Sequence, residues 1–225
     1  MILSLETATT TCSVSLINAG KLIAEQNYYL DKSHSSLLPA IIEELLVNCN
    51  IEKNELQAVA LSDGPGSYTG LRIGSSVAKG LCFALDIPLI AVNTLKALAL
   101  SVVSEPLSEY IFCPMLDARR MEVYTSFYDF NLNEVLPTSA IPLERDSFES
   151  FSDKKLLLFG NGAGKTKELF QGLDYVHYLD SVQVKASAVG LLANEQFEKE
   201  AFENLAYYEP NYFKEFKAIK AKPLL

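Results

Sequence analysis

The chain has 225 residues, of which 49% are apolar and 21% are charged, and its formal net charge is −9. This composition can build a well-buried core and excludes a largely disordered chain. A chain this acidic releases few counterions when it meets a polyanion. We therefore do not expect it to bind RNA tightly by itself. The length suits one large domain or two lobes of about 100 residues each.

The first residues indicate a strand and no targeting segment. Met1–Glu6 has no basic region and contains an early acid, so no signal peptide is predicted. The apolar stretch Leu89–Val103 is interrupted by Asn93 and Lys96 and falls short of the roughly 20 residues that a bilayer span needs. We therefore expect a cytoplasmic protein that makes no membrane contact.

The cysteines and histidines exclude several kinds of site. The four cysteines lie far apart in apolar settings, which predicts buried free thiols in a reducing compartment. The two histidines, His34 and His177, form neither HExxH nor HxxxH, so a histidine-based metal centre is nearly excluded, whereas a carboxylate centre is left open. They also offer few candidate bases for a nucleophilic triad. We predict no metal and no other cofactor.

The first half of the chain predicts a run of strands followed by helices. Apolar runs and alternation predict five strands, at Ile2–Glu6, Cys12–Ile17, Lys21–Leu30, Leu56–Leu61 and Pro88–Val92. One continuous apolar face predicts a helix that begins near His34 and carries Leu37, Leu38, Ile41, Ile42, Leu45 and Leu46. Pro39 fits best in its first turn, and an earlier start would place a kink there. Further helices are predicted at about 71–85 and at 94–103.

The pattern restarts near residues 104–108, where we place a lobe boundary. The predicted units are a first lobe, 1–104, and a second lobe, 105–225, whose tail from about 205 we expect to pack back on the first lobe. The second lobe predicts strands at 111–116, 122–130, up to about 141, and 156–159, with helices after Gly164 and at 186–200. The order suggests a repeated α/β unit, although no repeat is visible in the sequence itself.

A glycine-rich string, Asp63–Gly74, lies between a predicted strand and a predicted helix. Such a loop can point backbone N–H groups at an anion, or it can simply make a tight connection. Small residues then recur every four positions, at Gly70, Gly74, Ala78 and Cys82, so another helix could approach closely. That helix could belong to the same chain or to a partner. We expect a bulky residue at Gly74 to abolish pairing and leave the fold intact.

Three other segments each have two interpretations. Phe159–Thr166 is one residue short of a Walker A loop, so a P-loop is disfavoured, and a backbone contact to a nucleoside stays open. Asp117–Glu122 is either an exposed turn with internal ion pairs or a contact for an anion or a partner. The tail, with Tyr212 and Phe213 beside Lys214, Lys217, Lys220 and Lys222, is either a packed terminus or a surface that stacks on bases.

Several motifs together resemble one known family. They are Ile2–Ala8, His34–Pro39, Gly64–Gly74, Ala78–Leu81, Asp117–Tyr124 and Pro210–Tyr212. These segments resemble the TsaB (YeaZ) family, the dimerization subunit of the bacterial machinery that makes N6-threonylcarbamoyladenosine in tRNA. The resemblance covers most of the chain and implies the actin/Hsp70/sugar-kinase (ASKHA) fold, with two α/β lobes that each carry a βββαβα mixed sheet. It also implies a TsaD-like catalytic subunit and a TsaE-like ATPase as partners, a homodimer when the chain is alone, and tRNA contact only within the complex.

Three departures from the enzymes of this fold point to a non-catalytic subunit. Nucleotide-using relatives carry DxGTT in the first hairpin, whereas Glu6–Thr10 contains a longer acid and no glycine. The matching turn of the second lobe has Arg119 where a glycine is expected. The catalytic partner of the family carries HxxxH, whereas the fourth residue after His34 is Leu38. A nucleotide-dependent kinase or ATPase is the alternative function, and a metalloprotease fails for want of ligands.

The candidate site residues fall into three sets. A partner or dimer interface is predicted at His34, Leu37, Leu38, Ile41, Ile42, Leu45, Gly70, Leu71, Gly74, Val77, Ala78 and Leu81. A vestigial nucleotide loop is predicted at Glu6, Thr7, Gly64, Gly66, Ser67, Thr69, Gly160 and Gly162. Other candidate contacts are Asp117, Arg119, Arg120 and Glu122.

Overall fold

The computed structural model describes residues 1–29 and 34–214, which form ten strands and four α-helices. The strands are β1 Ile2–Glu6, β2 Thr11–Asn18, β3 Lys21–Tyr29, β4 Ala58–Gly64, β5 Leu89–Asn93, β6 Tyr110–Asp117, β7 Glu122–Tyr128, β8 Glu134–Pro142, β9 Lys155–Phe159 and β10 Val176–Leu179. The helices are α1 His34–Asn48, α2 Tyr68–Leu85, α3 Thr94–Leu100 and α4 Ala186–Glu198. Within the described ranges, no helix is long and apolar enough to cross a membrane.

The ten strands form two five-stranded sheets of the same topology. The first sheet has the order β3-β2-β1-β4-β5, and the second has the order β8-β7-β6-β9-β10. In each sheet, the first three strands in sequence pair antiparallel, and the last two run parallel to the first. The predicted two-lobed α/β fold is therefore confirmed, and the repeat that the sequence hides is visible in the connectivity.

The helices form layers on and between the two sheets. Helices α1 and α2 pack on one face of the first sheet, where Ile41 and Ala78 share a core cluster with Leu3 and Leu5. Helices α3 and α4 share another cluster with strands of both sheets, so they lie between the lobes. Helix α4 follows the second sheet in sequence and yet packs against the first, which a division of the chain at residue 104 does not anticipate.

The structure differs from the sequence predictions most clearly at three helices. The helix expected after Gly164 is wrong, because a short 3-10 helix, Ala163–Thr166, is followed by turns and by β10, which was not predicted. Pro39 lies inside α1 and not in the first turn, since the helix already includes His34. Helix α3 ends at Leu100, three residues before the predicted end at Val103.

The four cysteines are free, and they differ in exposure. Cys12, Cys82 and Cys113 are buried, and burial raises the pKa of each thiol, whereas Cys49 is half-buried. A thiol reagent attacks accessible thiolate, so we expect one of the four thiols to react rapidly in the native protein and all four in denaturant. The exchange Cys49→Ser should remove the rapid phase. A rapid phase that persists in this variant would contradict the burial of the other three.

Candidate functional site

The glycine-rich loop after β4 packs against the turn that follows β1 in the same chain. The Ser67 amide donates a hydrogen bond to the Ala8 carbonyl at 2.7 Å, and the Thr7 hydroxyl donates to the Gly70 carbonyl at 2.8 Å. A Cβ on Gly70 would lie 2.0 Å from the Thr7 carbonyl oxygen, and one on Gly74 would lie 2.4 Å from the Thr7 hydroxyl oxygen. The small residues at the start of α2 therefore let its backbone approach its own chain.

The rest of this loop has the same structural character. A Cβ on Gly66 would lie 2.5 Å from the Ala8 carbonyl oxygen. Gly64 has φ +117° and faces the Asn211 carbonyl, which a Cβ would approach to 2.6 Å. The Ser67 side chain accepts a hydrogen bond from the Gly70 amide and caps α2. Of the predicted nucleotide-loop residues that follow Ser67 in sequence, only Thr69 is exposed. Packing alone accounts for these glycines.

The second glycine-rich loop repeats this arrangement in the other lobe. Gly160 has φ +94°, and a Cβ there would lie 2.4 Å from the Met115 carbonyl oxygen. The Gly162 amide donates to the same carbonyl at 3.0 Å. This loop follows β9 and packs against the end of the neighbouring strand β6. In the same way, the first loop follows β4 and packs against the end of β1. Both glycine-rich segments thus close the carboxyl edge of their sheet.

Glu6 ends β1 and is completely buried. The Ala8 amide donates to one of its carboxyl oxygens at 2.6 Å, and the Ser62 hydroxyl donates to the other. Burial raises the pKa of Glu6 to about 7, although the hydrogen bonds from Ser62, Ala8 and Thr9 oppose this shift. The carboxyl group that occupies the place of the DxGTT acid is therefore turned into the protein and away from any ligand.

The space between the two turns is small. The cavity there is bounded by Thr9–Thr11, Gly160, Asn161, Gln183 and neighbouring apolar side chains, and its volume is about 40 Å³. Pockets for small organic molecules usually measure about 300–1,000 Å³. A nucleotide does not fit in this cleft without separation of the lobes.

The Asp117–Glu122 turn is held by two lysines from distant parts of the chain. The Lys165 ammonium lies 2.5 Å from the Asp117 carboxylate and also donates to the Arg120 carbonyl at 2.6 Å. Lys214 forms an ion pair with Glu122 and donates to the Ala118 carbonyl at 2.9 Å. The acids of the turn thus pair with distant lysines and not within the turn. The lysine of the Walker-like segment serves this structural contact.

Residues 203–214 form a segment, here called the C-terminal strap, that crosses from the first lobe to the second. The Tyr208 hydroxyl donates to the Asp63 carboxylate at 2.9 Å, and the Asn211 amide donates to the Asp63 carbonyl at 2.8 Å. Farther on, the Tyr212 ring packs 4.8 Å from Tyr68, and Lys214 reaches the second lobe. The motif Pro210–Tyr212 and the expectation that the tail from about residue 205 packs back on the first lobe were the two sequence signals for this segment. The tail lysines Lys217, Lys220 and Lys222 lie outside the described residues.

The helix pair α1–α2 presents a different face from the one the sequence suggested. Eight of the predicted interface residues are buried within their own chain, namely Leu38, Ile41, Ile42, Leu45, Gly70, Leu71, Gly74 and Ala78. The apolar stripe of an amphipathic helix packs on the sheet beneath it, so these residues are covered by their own chain. The predicted Gly74 test is corrected as well, because a bulky residue there would disturb the fold.

The remaining four predicted interface residues, His34, Leu37, Val77 and Leu81, are half-buried. A His34 ring nitrogen lies 3.2 Å from the Thr11 carbonyl oxygen. Within the described ranges, no three metal-ligating side chains converge. The exposed side of the helix pair carries Val47, which is 67% exposed, and Phe83, which is 83% exposed.

Two similar lobes, a filled cleft and paired glycine-rich loops define a protein of the ASKHA fold. The solved structure of component A of (R)-2-hydroxyglutaryl-CoA dehydratase from Acidaminococcus fermentans shares this fold, with a TM-score of 0.51 and 10% identity over 89% of this chain and 98% of that chain. At this identity the likeness shows the fold alone.

Comparison with known proteins finds one family along most of the chain. The family model described as TsaD, tRNA N6-adenosine threonylcarbamoyltransferase, matches residues 26–222. The tRNA threonylcarbamoyladenosine biosynthesis protein TsaB of Bacillus subtilis is 33% identical over 76% of this chain and 75% of its own length, and that of Haemophilus influenzae is 35% identical over 56% and 52%. YeaZ from Pseudomonas aeruginosa superimposes with a TM-score of 0.82 at 26% identity, over 94% of this chain and 98% of that one. The chain therefore belongs to the TsaB (YeaZ) family, and this membership supports a part in tRNA threonylcarbamoyladenosine biosynthesis.

Proposed function

We propose that this chain is a non-catalytic subunit of the machinery that makes threonylcarbamoyladenosine in tRNA. It binds a TsaD-like catalytic subunit through the exposed side of α1 and α2, and it forms a homodimer through the same surface when it is alone. A TsaE-like ATPase and tRNA join only in the assembled complex. The family membership supports the pathway, and the geometry of the cleft and of the helix pair supports the proposed role.

The geometry of the cleft supports the non-catalytic part of this proposal. Its cavity of about 40 Å³ is far smaller than a nucleotide site, and the only carboxyl group at the end of β1, Glu6, is buried and hydrogen-bonded within the chain. A kinase or ATPase of this fold needs an acid and phosphate-binding turns that face an open cleft. The alternative of a nucleotide-dependent enzyme is therefore disfavoured.

The exposed side of the helix pair supports the binding part. Phe83 is a large apolar side chain that is 83% exposed, and Val47 on the neighbouring helix is 67% exposed. Gly80 lies one turn before Phe83 on α2, and a Cβ there would meet nothing within 4 Å. An exposed aromatic beside a glycine offers an anchor and a place of close approach for a partner helix.

The test is light scattering coupled to size-exclusion chromatography, with the chain alone and mixed with the TsaD-like protein of the same organism. We expect a homodimer that converts to a heteromeric complex. The exchange Phe83→Asp should weaken both associations by about 2 kcal/mol or more, roughly thirtyfold, because it places a charge in an apolar contact. It should leave the melting temperature nearly unchanged, since Phe83 contacts mainly solvent.

The matched control is Val135→Asp, which places the same charge on the edge strand β8 at an apolar residue that is 43% exposed. This control should associate as the wild type does. Normal pairing by the Phe83 variant would contradict the proposed surface. If the wild-type chain forms no complex even with the ATPase and nucleotide present, the subunit role itself fails, and titration with Mg-ATP becomes the next experiment.

A further inference from the structure

Four cations follow one another on the side of the molecule where the C-terminal strap joins the two lobes. Arg72 lies on α2 and bonds the Tyr212 hydroxyl of the strap at 3.3 Å. Lys214 ends the described strap and contacts the turn that carries Arg119 and Arg120. These residues, Arg72, Lys214, Arg119 and Arg120, are here called the basic stripe. They stand out in a chain whose net charge is −9.

The acids beside the stripe are already neutralised. Asp117 pairs with Lys165, and Glu122 pairs with Lys214. Arg119 and Arg120 are exposed, and within the described ranges neither forms an ion pair, while Glu209 lies near Arg72 and offsets part of its charge. Lys165 and Lys214 balance the two acids of the turn, so Lys214 adds no net charge, and the positive charge that remains at the tip is that of Arg119 and Arg120, with Glu122 also interacting with Arg120.

The backbone of this turn is unfavourable for arginine. Arg119 has φ +65° and Arg120 has φ +48°, so two consecutive side-chain-bearing residues adopt the left-handed region. Asparagine and glycine adopt that region at lower cost. Strain of this kind is commonly retained at functional positions, where a particular side chain matters more than the stability lost. The Lys165 and Lys214 contacts hold the turn, and both arginines are exposed.

Aromatic rings alternate with the cations along the stripe. The Arg72 guanidinium lies 4.5 Å from the centre of the Tyr68 ring, and the Lys214 ammonium lies 5.7 Å from that of Tyr124. Burial chiefly raises the pKa of Tyr124, the charge of Glu122 adds to that shift, and the charge of Arg119 opposes it. Alternating cations and aromatics are typical of surfaces that bind single-stranded nucleic acid.

We propose that the basic stripe contacts the phosphodiester backbone of RNA, with Arg119 and Arg120 as the principal phosphate ligands. The choice of RNA rests on the proposed function. The hollow beside Tyr124 and Tyr212 measures about 50 Å³, too little to enclose a nucleotide, so the contact is made on the surface. Because bases stack on aromatic rings that lie beside cations, the rings of this surface favour RNA over an acidic protein segment.

The test compares RNA binding by two charge-matched double variants in complex with the TsaD-like subunit. Arg119→Asn with Arg120→Asn removes both charges and relieves the backbone, so the melting temperature should stay constant or rise. The control is Lys21→Gln with Lys154→Gln. It removes two exposed charges, one from each lobe, at the edges of the sheets that lie away from the Arg119–Arg120 turn. The probe is a full-length tRNA transcript, titrated at several salt concentrations.

Two lost phosphate contacts should lower the slope of log affinity against log salt by about 1.5, which corresponds to a roughly thirtyfold loss near 0.1 M salt. The lysine control should change the affinity much less. Equal losses in both variants, or no loss in the arginine variant, would overturn the proposal. If the arginine variant lost a protein partner while its RNA affinity stayed unchanged, the proposal would be overturned in favour of an acidic protein ligand. Failure of the wild type to form the complex would instead refute the proposed function.

Discussion

Replacement of Gly70 by alanine should destabilise the fold by about 3 kcal/mol. The new Cβ would lie 2.0 Å from the Thr7 carbonyl oxygen and 3.2 Å from the carbonyl carbon, which are backbone atoms that no side-chain rotation can move. The Thr7 hydroxyl bond to the Gly70 carbonyl would also be strained. Chemical denaturation with urea measures the effect as a fall in the midpoint.

Gly80 provides the matched control, because it belongs to the same helix and faces solvent. A Cβ there meets nothing within 4 Å, so Gly80→Ala should stabilise the protein by up to about 1 kcal/mol through helix propensity. Opposite signs at the two positions would show that the start of α2 is tightly packed and that Gly80 is open. Equal effects at both positions would contradict the close approach of α2 to the β1–β2 turn.

Replacement of Glu6 by glutamine should change how stability depends on pH. Because burial raises the pKa of Glu6 in the folded protein to about 7 from an ordinary value near 4.5, folding favours the protonated carboxyl. This contribution to stability is fully present below about pH 4.5 and is lost as the pH rises to about 7. The corresponding free energy is about 3 kcal/mol.

Glutamine does not titrate, and its carbonyl oxygen can still accept from the Ala8 amide. The free energy of unfolding of the variant, relative to that of the wild type, should therefore rise by about 3 kcal/mol between pH 4.5 and pH 8. Urea denaturation at a series of pH values measures this difference, and the exposed exchange Glu134→Gln controls for the loss of one charge. A difference that stays constant across this range would mean that Glu6 is ionised in the folded protein.

These two residues bear directly on the proposed role. In an enzyme of this fold, the end of β1 and the loop after β4 would face a nucleotide. Here Gly70 packs on Thr7, and Glu6 is buried against Ser62, so the same segments form protein core. The C-terminal strap adds contacts from Asp63 to Ala118 that join the lobes. Such an arrangement favours a rigid binding subunit over a protein whose lobes close on a ligand.

The sequence by itself determined most of the local structure. The predicted strands Ile2–Glu6 and Leu156–Phe159 match β1 and β9 to within a residue, and the apolar face from Leu37 to Leu46 predicted α1. Alternation and helical spacing are properties of consecutive residues, so they can be read without tertiary contacts. The family motifs likewise lie in continuous segments, and the two-lobed α/β fold that they imply was confirmed. The prediction of a helix after Gly164 was wrong, because a glycine-rich turn after a strand also occurs without a helix.

Only the tertiary structure decided which residues meet across the chain. It placed α4 on the first sheet, paired Lys165 with Asp117 and joined the lobes through the strap. It also buried the apolar side of α1 and α2, and so left Phe83 as the exposed candidate anchor. Contacts between residues far apart in sequence depend on how the layers stack, and the burial of Glu6 depends on the solvent that those layers exclude. Neither property is contained in any local run of residues, because both depend on segments that are far apart in sequence.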